Sequence, residues 1–98
     1  MIHKKYSADK KSCEVTFTLP ASIETESACL CGNFNDWDPE STPMKKNEEG
    51  TLTTTVKLEA GTEYKFRYCI DNSRWENDPD ADGQIPNPFG SEDSVIKI

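Results

Sequence analysis

Apolar and polar residues alternate with a period of two along three segments of the chain. Segments 15–19, 52–58 and 64–70 each place a large apolar residue at nearly every second position, with Thr, Lys, Glu or Arg between them. Successive side chains of a strand point to opposite sides of a sheet, so this alternation is typical of strands with one buried and one solvated face. No window of ten or more residues has helical spacing. The pattern predicts an all-β fold.

Residues typical of turns separate these segments from one another and from two weaker candidate strands at 28–31 and 94–98. Segment 76–92 is rich in Asp, Pro and Gly, and we expect it to lack regular structure. Loops longer than about 12–15 residues are usually functional or disordered. Short strands spaced by turns at about ten-residue intervals predict a β-sandwich.

Length and charge limit the classes of protein that fit. The chain has 98 residues, enough for one domain, and a net charge of −7. An acidic chain lacks the electrostatic footprint of nucleic-acid binding and is repelled by anionic membranes, so we expect neither partner. The N-terminal residues lack the apolar region of a secretory signal, and we expect a cytoplasmic location. Lysines concentrate at the start, which suggests a flexible basic segment at 1–12 before a folded domain at 13–98.

Four cysteines lack the two close pairs that a structural zinc site usually requires. Cys29 and Cys31 are two residues apart, so on a strand both side chains lie on one face. Their spacing within one strand is too wide for a relaxed disulfide. We interpret the cysteines as reduced thiols that serve as small apolar residues, with a metal or redox role as the alternative.

Catalytic and metal-binding patterns are sparse. His3 is the single histidine, so no Ser-His-Asp or Cys-His set can be assembled. Segment 78–83 reads DPDADG, which matches the opening of a calcium loop, but Phe89 stands at the twelfth position, where such loops place a bidentate Glu. We therefore expect no enzyme activity, no cofactor and no metal, with a calcium loop as the alternative.

Two tryptophans, Trp37 and Trp75, lie in or beside predicted loops, as does Phe89, and Lys65 lies on the polar face of a predicted strand. Sugar rings have apolar C–H faces and a rim of hydroxyl groups. Flat indole faces with a neighbouring hydrogen-bonding cation suit that chemistry. The alternative is that both Trp side chains close the ends of a thin core.

Four motifs follow one another between residues 13 and 98. They are CGNFNDWDP at 31–39, LEAG with YKFRY at 58–68, ID with WENDP at 70–79, and FG with DSVIKI at 89–98. In this order and spacing they resemble the glycogen-binding, isoamylase-type early-set domains, which occur in the β subunit of AMP-activated protein kinase and in branching and debranching enzymes. The resemblance implies an immunoglobulin-like early-set β-sandwich without catalysis of its own.

The same resemblance implies a set of sugar-binding residues. Matched position by position, they are Trp37, Lys65, Trp75, Phe89 and Asp93, with Ser94 beside Asp93. The kinase members usually carry Asn at the position of Asp93; an ionised Asp only accepts hydrogen bonds, whereas Asn also donates them. Asn35, Asp36 and Asp38 are expected to fix the first loop as Asx-type turns rather than to contact ligand.

Two functional hypotheses follow. The first is a non-catalytic module that binds α-1,4-glucan (glycogen, starch, maltooligosaccharide or cyclodextrin) and targets or regulates a glycogen-metabolism enzyme or kinase. The second is a non-binding early-set domain that serves as a spacer or in protein interaction, with its Trp residues in the core or an interface.

Overall fold

Nine strands make up the regular structure in the computed structural model, which describes residues 2–20, 23, 25–38, 40–71, 74–88 and 90–98. In chain order they are β1 (Ile2–Tyr6), β2 (Ser12–Thr18), β3 (Ala28–Gly32), β4 (Lys45–Lys46), β5 (Leu52–Glu59), β6 (Glu63–Ile70), β7 (Arg74–Glu76), β8 (Gly83–Pro86) and β9 (Glu92–Lys97). The described residues contain no helix, and therefore none that is long and apolar enough to cross a membrane.

The strands form two antiparallel sheets, which confirms the predicted all-β sandwich. One sheet has the order β1-β2-β5-β4 and the other β3-β6-β9-β8, with β7 also paired to β6. Phe66 of β6 pairs with β3 on one side and with β9 on the other, and Tyr68 pairs with β3 and β7. β9 and β7 therefore occupy successive stretches of the same edge of β6, and β6 is the centre of its sheet.

The core lies between the inner faces of the two sheets. Phe17 of β2 meets Phe66 of β6 edge to face at 4.9 Å, and Phe66 meets Tyr68 in the same way at 5.8 Å. All three are fully buried, as are Leu30 of β3 and Ile96 of β9. Burying each large side chain contributes about 1.5–3 kcal/mol. The alternation along β2 and β6 thus places their apolar residues in the core, as predicted.

A buried polar network ties the segment after β7 to the core. Asp78 is fully buried, and its Oδ2 accepts a hydrogen bond of 2.6 Å from the Tyr68 hydroxyl. The Asp80 N–H donates to Oδ1 at 2.8 Å, and the Asp78 N–H donates to Ser94 Oγ at 3.0 Å. Burial, followed by the hydrogen bond to Asp78, raises the pKa of Tyr68, so the phenol keeps its proton and remains a donor. The network fixes the loop that follows residue 77.

Segment 76–92 differs from the expectation of a loop without regular structure, because it contains β8. This strand pairs with β9, placing Ile85 opposite Asp93 and Gln84 opposite Ser94. The Gln84 amide also donates to the Asp78 carbonyl at 3.0 Å. β8 is short and lies at the edge of its sheet, where Pro86 is tolerated. Its pairing with β9, the next strand along the chain, makes it a strand, although its four residues, GQIP, have no alternating pattern.

The N-terminal residues also differ from expectation, since residues 2–6 form β1 rather than a flexible segment. β1 pairs with β2, with Lys4 opposite Val15. Lys4 Nζ donates to Asp82 Oδ2 at 2.9 Å and to the Lys97 carbonyl at 2.8 Å. An inward-pointing lysine on an edge strand protects that edge from pairing with other chains. Here the same lysine also links one sheet to the other.

The turn after β3 is built on Gly32 and Asn35. The Asn35 side chain accepts a hydrogen bond from the Gly32 N–H at 2.9 Å and donates to the Leu30 carbonyl at 2.9 Å and to Thr42 Oγ1 at 3.0 Å. A Cβ on Gly32 would lie 2.5 Å from the Lys65 carbonyl oxygen and would overlap the ring of Phe34. Only glycine allows β3 and β6 to approach this closely while Phe34 covers the turn.

We expect Gly32→Ala to destabilise the domain by about 1–3 kcal/mol, the usual cost of overpacking a site whose neighbour is backbone. Urea denaturation followed by fluorescence measures the loss. Gly83→Ala is the matched control, because no atom lies within 4 Å of its added Cβ and its φ is not positive. Equal stability of the two variants would contradict the close packing at Gly32.

We expect the hydrogen bonds to Asp82 to make stability depend on pH. The Lys4 side chain, and then the Lys97 N–H, lower the pKa of Asp82 from its ordinary 3.8. A depressed folded pKa stabilises the fold above the unfolded value, and that contribution is lost as pH falls through the folded pKa.

Asp82→Asn should therefore be less stable than wild type at pH 7, and the difference should shrink below pH 3.8. Urea denaturation at a series of pH values measures it. Glu48→Gln, which removes an exposed carboxylate from the turn before β5, is the control and should leave stability nearly unchanged. A difference between Asp82→Asn and wild type that persists at low pH would contradict the role of this carboxylate.

Candidate functional site

An open cavity of about 500 Å³ lies on the outer face of the five-stranded sheet. It is lined by Asn33, Trp37, Lys65, Arg67, Trp75, Asn87, Pro88 and Asp93. These residues come from β6, β7 and β9 and from the loops after β3 and β8. The strand residues share the outer face because they alternate with core residues such as Phe66 and Ser94.

β6 supplies the two cations of the cavity, Lys65 and Arg67. Both side chains point outward because they alternate along the strand with Phe66 and Tyr68, which point into the core. The backbone of Lys65 is held on both sides by Asn33: the Lys65 N–H donates to Asn33 Oδ1 at 3.1 Å, and the Asn33 N–H donates to the Lys65 carbonyl at 3.0 Å. Asn33 thereby continues the pairing of β3 with β6 beyond the end of β3.

Trp37 is presented by a tight turn in an uncommon backbone conformation. Asp36 and Trp37 have φ of 57° and 58°, and the Asp38 N–H donates to the Asn35 carbonyl at 3.2 Å. Two left-handed residues closed by such a bond define a type I′ turn. Non-glycine residues occupy this region only where surrounding structure enforces it, and the side-chain bonds of Asn35 do so here. Trp37 is half-buried.

The expectation that polar residues of this turn fix the loop is confirmed for two of them. Asn35 bridges the two ends of the turn, and Asp38 Oδ1 accepts the Glu40 N–H at 2.9 Å as an Asx turn does. Neither side chain lines the cavity.

Trp75 stands on the outer face of β7, opposite Cys69 of β6. It is 42% exposed, so it is not a core residue. The guanidinium carbon of Arg67 lies 5.8 Å from the centre of its ring, within the range of a cation–π contact. Asn72 and Ser73 of the preceding turn lie outside the described residues.

Asp93 is the acceptor of the cavity. Arg67 Nε donates to its Oδ1 at 3.1 Å, and Asn87 Nδ2 donates to the same oxygen at 3.1 Å. The residue is 7% exposed, so the ion pair is shielded from solvent far more than a surface salt bridge. The cavity therefore combines two indole rings, a lysine ammonium and a fixed carboxylate.

The cavity contains four of the residues named from sequence: Trp37, Lys65, Trp75 and Asp93. Ser94 does not lie there, because it occupies the inner face of β9 and is fully buried in the network around Asp78. Phe89 lies outside the described residues, so its place in the site stays a prediction.

Sequence reasoning missed Arg67, Asn33, Asn87 and Pro88. Arg67 could have been predicted as a site residue, because it is two residues beyond Lys65 on the same face of a predicted strand. Nothing in the sequence distinguishes the two asparagines from other loop residues.

The cysteines take no part in the cavity. All four are thiols that form no disulfide, and Cys29 lies directly opposite Cys69 on the outer face of the sheet. Burial raises the pKa of Cys29 and raises that of Cys31 to about 12, so these thiols stay protonated near neutral pH. They are therefore poor nucleophiles.

The alternative of a calcium loop finds no support. The Asp78 carboxylate is buried against Tyr68, and Asp82 pairs with Lys4. The described part of the chain contains no group of three or more His, Cys, Asp or Glu residues placed to hold a metal ion.

Comparison with known proteins agrees with this geometry. A family model described as the glycogen recognition site of AMP-activated protein kinase matches residues 13–98. The chain is also similar to the 1,4-alpha-glucan branching enzyme GlgB of Aquifex aeolicus (strain VF5), with 46% identity over 64 residues. This match covers 64% of the chain and 10% of the enzyme. Since the family model spans nearly the whole chain, the protein belongs to the family of the glycogen recognition site of AMP-activated protein kinase.

Proposed function

We propose that this domain is a non-catalytic module that binds α-1,4-glucan across the outer face of its five-stranded sheet. The observation that carries the proposal is the convergence of Trp37, Lys65, Trp75 and Asp93 on one open cavity. They come from four separate parts of the chain: the turn after β3, then β6, β7 and β9.

The chemistry of the cavity fits a neutral sugar. The faces of Trp37 and Trp75 stack against the C–H faces of glucose rings, the Lys65 ammonium donates hydrogen bonds to hydroxyl oxygens, and Asp93 accepts hydrogen bonds from hydroxyl groups. The cavity is open, so a chain of sugars can lie across it without its ends being enclosed. Few hydrogen bonds and partial burial lead us to expect a dissociation constant between about micromolar and millimolar.

The proposed role of the module is to hold a glycogen-metabolism enzyme or kinase on its glucan, at a cytoplasmic location. Two comparisons support it. The relative from Aquifex aeolicus is by name an enzyme that acts on 1,4-alpha-glucan, and the family is named for a kinase. The net charge of −7 does not oppose binding of an uncharged polysaccharide and favours solubility.

We expect maltoheptaose or β-cyclodextrin to bind the wild-type domain and Trp75→Ala to lose at least about tenfold in affinity, since apolar surface buried between the indole and the sugar contributes about 25 cal/mol per Å² and roughly 60 Å² of it corresponds to a tenfold change. Calorimetric titration measures the loss. The control is Tyr6→Ala, which removes an aromatic side chain of similar exposure, 47% against 42%, from the other sheet.

Two results would contradict the proposal. The first is the absence of any heat or fluorescence change in the wild type at millimolar sugar. The second is an equal affinity of Trp75→Ala and Tyr6→Ala. Either result would favour the alternative of a spacer or protein-interaction domain, particularly if Trp37→Ala also unfolded the domain.

We expect Lys65→Met to weaken binding about tenfold or more, because a hydrogen bond from a charged donor contributes about 1.5–3 kcal/mol. Lys57→Met is the matched control: Lys57 is equally a strand lysine, exposed on the outer face of the other sheet opposite Glu14. The same titration compares them. Similar loss in both variants would show that net charge, rather than Lys65, determines affinity.

A further inference from the structure

The two cations of the cavity have different surroundings. Lys65 is exposed, and no residue that the structure describes pairs with its ammonium group. Arg67 is shielded, with a side chain 18% exposed, and is paired with Asp93, whose side chain is 11% exposed. A charge this shielded is costly unless it is paired and hydrogen-bonded, so each member of the pair depends on the other.

The contacts of Asp93 are all made through one of its oxygens. Oδ1 accepts from Arg67 Nε and from Asn87 Nδ2, both at 3.1 Å, and Oδ2 accepts no hydrogen bond from any described residue. Two donors on one oxygen fix the plane of the carboxylate. The carboxylate is thereby held in one orientation, and Asp93 lines the cavity together with Trp75, Lys65 and Trp37.

Arg67 also constrains the exposed indole. Its guanidinium carbon lies 5.8 Å from the centre of the Trp75 ring. A planar guanidinium combines an in-plane hydrogen bond with stacking on an aromatic face, which the compact ammonium group of lysine does less well. The Arg67 side chain therefore contacts both the indole of Trp75 and the carboxylate of Asp93, which lies on the neighbouring strand β9.

We propose that Arg67 is a positioning residue of this site, which orients the carboxylate of Asp93 and the indole of Trp75 for the sugar. The inference rests on the proposed function, because it assigns a role within glucan binding. It distinguishes Arg67, which acts through two neighbours, from Lys65, which donates to the sugar directly. At the position of Asp93 the kinase members usually carry a neutral Asn. Here Arg67 compensates the negative charge of Asp93.

Calorimetric titration with β-cyclodextrin tests this on a set of variants. Arg67→Met should weaken binding about tenfold, since it removes one charged hydrogen bond from Asp93. Arg67→Lys should lose less, because it keeps the charge but not the planar contact with Trp75. Arg74→Met is the matched control: Arg74 is one residue from Trp75 and pairs with Glu76 at 3.1 Å, yet does not line the cavity. It should bind as wild type does.

The double variant Arg67→Met/Asp93→Asn separates positioning from direct contact. An amide at position 93 needs no cation beside it, so the double variant should bind no more weakly than Arg67→Met alone. If the double variant instead bound more weakly than Arg67→Met alone, Arg67 and Asp93 would contribute to affinity independently. Arg67 would then contact the sugar itself, and this would overturn the proposal. An affinity of Arg67→Met equal to that of Arg74→Met would overturn it as well.

A further measurement is made without sugar on the conservative variant Arg67→Lys. The indole N–H signal of Trp75 in an NMR spectrum should move in Arg67→Lys and stay in place in Arg74→Met. If Arg67→Lys matches the wild type in both affinity and indole signal, the proposal is overturned even should Arg67→Met fail to fold. Absence of binding by the wild type would overturn the proposed function and this inference together. Normal wild-type binding with an unaffected Arg67→Met would overturn this inference alone.

Discussion

Strict alternation along β6 is the constraint on which both the fold and the site depend. Phe66 and Tyr68 point into the core, while Lys65 and Arg67 point into the cavity on the opposite face. A slip of one residue in register would exchange these two sets, placing charges in the core and aromatic rings in solvent. Pairing along both edges of β6, with β3 on one and with β9 and β7 on the other, prevents that slip. The register of β6 therefore determines which of its side chains reach the site.

Hydrogen bonds of side chains connect β6 to the loops. Asn33 continues the β3–β6 pairing into the turn that carries Trp37, and the side chain of Asn35 keeps that turn in its left-handed conformation. Tyr68, on the inner face of β6, holds Asp78 and with it the segment that leads to β8. The bond between Tyr68 and Asp78 is buried, so leaving either group unpaired would cost about 1–3 kcal/mol.

Sequence patterns predict the parts of this molecule that are determined by residues close together in the chain. β2, β5 and β6 follow from alternation alone, and the outward direction of Lys65 follows with them. β1 and β8 could not be predicted, because they are short and their residues, IHKKY and GQIP, do not alternate regularly between apolar and polar. Arg67 could have been predicted from its place on the polar face of the same strand as Lys65. The place of Ser94 could not, because it depends on a hydrogen bond with Asp78, a residue 16 positions away in the chain.

The central claim is that the outer face of the five-stranded sheet is the surface that binds α-glucan. An NMR titration of the wild-type domain with maltoheptaose tests it most directly. The account predicts that shifts concentrate on both indole N–H signals and on the amides of β6 and β9 near Lys65 and Asp93, while the Thr-rich outer face of β2 and β5 stays unchanged. Shifts confined to β2 and β5, or no shifts at millimolar sugar, would contradict it.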